Sequence, residues 1–227
     1  MNKPRQLTFP WEKIFKSSLD GFYCDELNKT LLDELMEISD EDIFIYASKN
    51  TGKTYLLQAL SNYYSEKNLS SLYIPLKEVK KYDTSIIEGI SQMDVVLMDG
   101  LDEIIGDDKW EISIFNLINE SIPSGCRLIF SISIDKKINK FNLPDLDSRI
   151  RKLHSKELHP VQDQNLKDAL LQIAQFRLIN LGERELNYLL GYTKRNLSDL
   201  VSILERLDSL SMELKRKITI PLIKDLL

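Results

Sequence analysis

Eight consecutive residues, Ala47-Ser48-Lys49-Asn50-Thr51-Gly52-Lys53-Thr54, have the types and spacing of a loop that holds phosphate. The run follows a short apolar segment, residues 43–46, and precedes the helix-forming Tyr55-Leu56-Leu57. A loop so placed turns backbone N–H groups inward around an anion, and the helix N-terminus adds a favourable dipole. In this reading Ser48, Lys49, Asn50 and Thr51 form the cradle and Gly52 lets the backbone approach closely. Lys53 reaches the β- and γ-phosphates, and the Thr54 hydroxyl is placed for Mg²⁺. Ala47 stands where the pattern has its first glycine, a small residue for a small one. The alternative is a chance Gly-Lys-Thr in a turn; the strand before and the helix after favour the phosphate loop.

A phosphate loop needs a metal-orienting carboxylate at the end of a neighbouring strand, and Val95-Val96-Leu97-Met98-Asp99 supplies one. Thr54 and Asp99 are therefore the candidate Mg²⁺ ligands. Where most ATPases of this kind place a second carboxylate to orient the attacking water, this chain has Gly100. Asp102 and Glu103 follow a turn later, where acidic residues are ordinary helix-start features, and that structural reading is favoured over a catalytic one. Nucleotide binding, ADP or ATP, is thus written more firmly than rapid hydrolysis, because Lys53, Thr54 and Asp99 serve either nucleotide.

These residues need a scaffold, and the surrounding pattern describes it. Compact apolar runs at 43–46, 72–74, 95–98 and 128–130 have the composition of buried parallel strands. Helix-like segments lie between them at about 24–38, 53–66, 84–91 and 109–121, the last expected to stop at Pro123 and Gly125. Alternating strands and helices imply an α/β layer with right-handed crossovers. From about residue 161 the strand runs cease. Leu166, Leu170, Ile173, Ala174 and Arg177 make one helical stripe and Leu197, Leu200, Val201, Leu204 and Leu207 another, so an all-helical domain, 161–227, is expected after an α/β domain, 23–160. Residues 1–22, with two of the seven prolines, read as an extended arm.

Composition narrows the function classes. A chain of 227 residues is about one and a half average domains. Its 30 basic and 35 acidic side chains leave a net charge of −5, against a dedicated basic nucleic-acid-binding domain. Two cysteines and two histidines write neither a disulfide framework nor a zinc site. No stretch approaches the roughly 20 apolar residues of a spanning helix. A protein of the reducing cytoplasm, without membrane partners, is the expectation.

The chain resembles the DnaA/Hda family of AAA+ proteins from Gln6 to Leu226. The resemblance is carried by Gln6-Leu7-Thr8-Phe9-Pro10, by Trp110-Glu111-Ile112-Ser113-Ile114-Phe115-Asn116-Leu117, by Leu143-Pro144-Asp145-Leu146-Asp147-Ser148-Arg149-Ile150, and by residues 216–224. It implies a P-loop AAA+ parallel-sheet core with a small C-terminal all-helical lid. Within it Arg149 takes the place of the arginine finger, which points toward a nucleotide held by a neighbouring protein. Ser131 or Ser133 would be the polar sensor at a strand end, although a serine there is also an ordinary turn residue. The lid's arginine sensor position falls on Ser198 instead, with Arg195 the nearest arginine.

Gln6-Leu7-Thr8-Phe9-Pro10 is similar to the short peptide with which bacterial replication proteins bind the polymerase sliding clamp. Leu7 and Phe9 would fill an apolar pocket and Gln6 would bond at its rim, with Pro10 closing the motif. The arm could instead fold back on its own domain; its N-terminal place favours the clamp. The implied function is a nucleotide-bound, clamp-tethered regulator that makes DnaA hydrolyse its ATP and so represses re-initiation. DnaA carries a basic origin-reading domain after its lid, and the 227 residues contain none, so contact with DNA is expected mainly through the clamp. Self-association through the finger edge is a further family feature. Two rivals stay open: a helicase-loader ATPase of the same clade, and an adaptor that binds DnaA and clamp without triggering chemistry.

Overall fold

The structure, a computed structural model, describes residues 17–134 and 140–227. The clamp-like residues Gln6, Leu7, Phe9 and Pro10 lie outside the described residues. Five parallel strands, β1 (Ile43–Ala47), β2 (Ser71–Pro75), β3 (Val95–Asp99), β4 (Arg127–Ser133) and β5 (His154–Glu157), form one sheet in the order β2-β3-β4-β1-β5. The first phosphate-loop strand is therefore next to the centre, and the Asp99 strand lies one strand away from it.

Strand periodicity explains the layers. Along β3, Val95 and Leu97 face one side and Val96 and Met98 the other, and all four are buried. One side packs on α1 (Glu26–Met36) and α2 (Lys53–Glu66) through Leu31, Leu35, Leu56 and Leu60. The other packs on α4 (Asp108–Ser124) and α5 (Pro144–Lys152) through Trp110, Ile114, Leu146 and Ile150. A short α3 (Leu76–Val79) follows β2. Four further helices, α6 (Leu166–Phe176), α7 (Glu183–Tyr192), α8 (Leu197–Leu214) and α9 (Ile220–Leu226), close around their own core of Leu170, Leu186, Leu189, Leu204, Leu207 and Ile223. This is the expected parallel-sheet core followed by a helical lid.

Three expectations need correction. The segment 84–91 is not one helix. It is two single turns, Thr84–Ile87 and Ile90–Gln92, divided by Gly89 at φ +75°, which still buries Ile87 and Ile90. Pro123 does not stop α4, because a proline in a last turn forfeits only one intrahelical bond; the helix ends where Gly125 takes φ +74°. The expected arm is not extended throughout: residues 17–22 lie on α2, with Asn62 Nδ2 donating to the Ser17 carbonyl at 2.7 Å and Tyr55 OH to that of Ser18 at 3.1 Å.

A buried arginine joins sheet to helix. Arg127, 2% exposed at the start of β4, donates from Nε to the Glu41 carbonyl (2.9 Å), from Nη1 to that of Glu37 (2.7 Å) and from Nη2 to that of Glu34 (3.2 Å). Those carbonyls sit at and beyond the end of α1, where helix acceptors otherwise lack partners. Arg127→Met is expected to cost about 3 kcal/mol, because three carbonyls lose a buried charged donor at once and gain none; a fall in the urea midpoint with unchanged slope would register it.

Candidate nucleotide site

The phosphate loop leaves β1 and enters α2 through two left-handed residues, Asn50 at φ +62° and Gly52 at φ +96°. Asparagine and glycine are the residue types that tolerate this region, so Asn50 and Gly52 are explained by backbone geometry as well as by ligand approach. The loop is braced across itself: Thr51 Oγ1 donates to the Ser48 carbonyl at 2.7 Å. Lys53 is largely buried and its Nζ donates to the carbonyls of Ser48 (2.8 Å) and Ala47 (3.3 Å), which holds the ammonium over the cradle.

Asp99 gathers three hydroxyls. Thr54 Oγ1 donates to Oδ2 at 2.6 Å, Tyr73 OH to Oδ2 at 3.1 Å, and Ser131 Oγ to Oδ1 at 2.6 Å. Ser131 is fully buried and in turn accepts from the Gly100 amide at 3.0 Å. Burial raises the Tyr73 phenol well above its ordinary value and the Asp99 charge raises it further, so Tyr73 stays a donor at any physiological pH. Of the two serines at the end of β4, Ser131 is thus the one whose side chain faces Asp99, while Ser133 offers its amide to Asp102 Oδ1 at 2.9 Å.

Thr54 and Asp99 therefore sit together as a Mg²⁺ site requires. Among the described residues no cluster of three or more His, Cys, Asp or Glu side chains is placed for a metal, so a cation at Asp99 would draw its other ligands from phosphate and water. Asp102 and Glu103 border the same cleft but are engaged, Asp102 at the end of β4 and Glu103 with Lys80 at 2.6 Å. This agrees with their structural reading.

The cleft has a volume of about 750 Å³ and runs from the phosphate loop to the lid. Lys49, Asn50, Thr51, Gly52, Lys53 and Thr54 form its floor. Its far wall was not legible in the motifs: Phe22 and Tyr23 from the segment before α1, and Leu197, Ser198 and Val201 from α8. The end of the core and the start of the lid are held at this seam from α1 and from the segment before it. The buried Asn28 donates to the His159 carbonyl at 3.0 Å and accepts from the His159 amide at 2.9 Å. Gln172 of α6 donates to the Asp20 carbonyl at 3.2 Å.

Arg195 is not brought to the cleft; its Nε pairs with Asp163 at 2.5 Å. Arg149 lies on α5, exposed, with no ion pair or side-chain hydrogen bond among the described residues and outside its own cleft. Glu111, which motif reading reaches only through the family resemblance, is fully buried. Its Oε1 accepts from the Gly106 amide and its Oε2 from the Leu143 amide, both at 2.7 Å, so it joins the stretch after Asp99 to the start of the Arg149 helix.

A P-loop, a strand-end aspartate on a five-stranded parallel sheet and a C-terminal helical lid beside one cleft are the architecture of the AAA+ fold. A family profile described as the lid domain of Hda matches residues 163–227. A protein of Haemophilus influenzae described as uncharacterized is 35% identical over 234 aligned positions, covering 100% of this chain and 99% of its own. Domain III of the replication initiation protein DnaA from Thermotoga maritima superposes with a TM-score of 0.79 at 20% identity, over 93% of this chain and 95% of that one. AMPPCP-bound DnaA from Aquifex aeolicus gives 0.71 at 20% identity, over 87% and 67%. Residues 163–227 thus match the Hda lid-domain family, and the chain as a whole has the DnaA-like AAA+ fold. No helix among the described residues is long and apolar enough to cross a membrane.

Gly21 reports on the seam. A Cβ there would lie 2.2 Å from Tyr55 OH and 2.6 Å from Phe176 Cε1, so core and lid meet where only glycine fits. Gly21→Ala is expected to cost about 2 kcal/mol by overpacking and to weaken nucleotide binding, read by thermal unfolding with and without ADP.

Proposed function

We propose that this protein binds ADP or ATP with Mg²⁺ in the core–lid cleft, is tethered to the DNA polymerase sliding clamp by Gln6, Leu7, Phe9 and Pro10, and stimulates ATP hydrolysis by DnaA. The consequence is repression of re-initiation. In this reading residues 1–22 carry the clamp motif, 23–160 the nucleotide-binding core and 161–227 the lid. DNA is contacted mainly through the clamp, and self-association uses the finger edge. A solved DnaA of this fold holds AMPPCP together with single-stranded DNA, which supports an adenine nucleotide as the occupant of this cleft.

The observation that carries the proposal is the division between cleft and finger. The cleft has a nucleotide-holding floor but Gly100 where a water-orienting carboxylate would stand, and its remaining acids Asp102 and Glu103 are engaged. Arg149, by contrast, is exposed on α5 and has no role in its own cleft. A guanidinium so placed can enter another protein's site and stabilise charge developing on a transferring γ-phosphoryl group. Mg²⁺ when bound would neutralise phosphate charge beside Thr54 and Asp99. Lys53 holds the phosphate chain, the loop amides orient it, and the lid excludes water.

Arg149→Ala is expected to leave this protein's own nucleotide affinity unchanged and to lower its stimulation of DnaA by at least about 10³, the usual worth of an arginine finger. Labelled nucleotide followed on DnaA, with clamp and DNA present, measures it; undiminished stimulation would sink the proposal, and a steady ATPase of the isolated protein would favour the loader. Immobilised clamp is expected to retain the wild-type chain and to lose the Gln6→Ala and Leu7→Ala proteins. Equal retention of all three removes the tether.

A further inference from the structure

The lid's wall of the cleft contains one cation among the described residues, Arg177. It stands at the C-terminal cap of α6, next to Phe176, which packs where the lid meets Gly21. Its side chain is 14% exposed and its Nη1 donates to Glu205 Oε1 on α8, whose own side chain is 52% exposed. Both residues border the cleft. Elsewhere the lid presents Ser198 at the start of α8, while Arg195 is held by Asp163.

The pair is built asymmetrically. A guanidinium has five N–H donors in a planar fork, and among the described residues Glu205 receives the one side-chain hydrogen bond that Arg177 makes. The fork suits two phosphate oxygens as well as it suits a carboxylate. Glu205 is the reverse case. It brings a negative charge to the edge of a cleft whose proposed occupant is an anion, and among the described residues its ion-pair partner is Arg177.

We propose that Arg177 is the lid's contact to the phosphate chain of the bound nucleotide, and that Glu205 competes for the same guanidinium and so holds affinity down. The inference rests on the nucleotide reading of the cleft. It makes two neighbours act in opposite directions, which a merely structural ion pair cannot do, because cutting a lid-supporting pair from either side loosens the lid.

Titration calorimetry of the full chain with AMP, ADP and ATP at constant Mg²⁺ tests it. Glu205→Gln is expected to tighten ATP binding about 3-fold and Arg177→Ala to weaken it about 10-fold, the scale of a charge-assisted hydrogen bond, with Arg177→Lys between. Both changes should grow from AMP to ATP. Glu205→Gln keeps an acceptor in the same place, so the sign of its effect can be read even where Arg177→Ala loosens the lid. Weakening by both Arg177→Ala and Glu205→Gln, or effects indifferent to phosphate number, would overturn the proposal. Binding that is lost in Lys53→Ala but unchanged in Arg177→Ala overturns it while leaving the cleft a nucleotide site. A wild-type chain that takes up none of the three nucleotides overturns both.

Discussion

The Asp99 carboxylate accepts from α2 through Thr54, from β2 through Tyr73 and from β4 through Ser131, so a single charged group at the end of β3 registers the phosphate-loop helix against three strands. Hydrogen bonds to an ionised acceptor are stronger than neutral ones, and here three of them converge on one carboxylate in a partly buried place. The same arrangement decides the residue that follows. Gly100, whose amide bonds Ser131, itself lies in the left-handed region, at φ +82°. A glutamate there would carry a strained backbone. The backbone at this position thus suits glycine better than a second carboxylate.

What could be read from residue types was what alternation and short motifs encode. β1, β3 and β4 are apolar on both faces because both faces are covered, and the loop between β1 and α2 declares itself by Gly52, Lys53 and Thr54. β5 was not legible. His154-Ser155-Lys156-Glu157 is a polar edge strand, and it joins the sheet through pairing with β1, with Lys156 bonded to Glu34, rather than through apolar burial. The segment 84–91 misled for the opposite reason: its isoleucines keep helical spacing, yet Gly89 lets the chain bury them from two separate turns. The cleft's far wall comes from residues about 150 positions apart, Phe22 and Tyr23 against Ile173 and Arg177. No local pattern links such residues; only the seam at Gly21, Asn28 and His159 brings them together.

The cleft's edge and the Arg149 helix are joined through the buried Glu111. Leu146 and Ile150 seat α5 in the core shared with Trp110 and Ile114, so Arg149 is tied to the sheet and not to the lid. From Asp99 the chain passes through the turn Leu101–Ile104 to Gly106, whose amide bonds Glu111; the other oxygen of Glu111 bonds Leu143, the residue that caps α5. Both oxygens of one buried carboxylate are thereby used to join the turn after Asp99 to the start of α5. Had Arg149 been mounted on the lid, every opening of the cleft would move it. Mounted here, its position is set by the core, independently of the lid residues Arg177 and Ser198 that border the cleft.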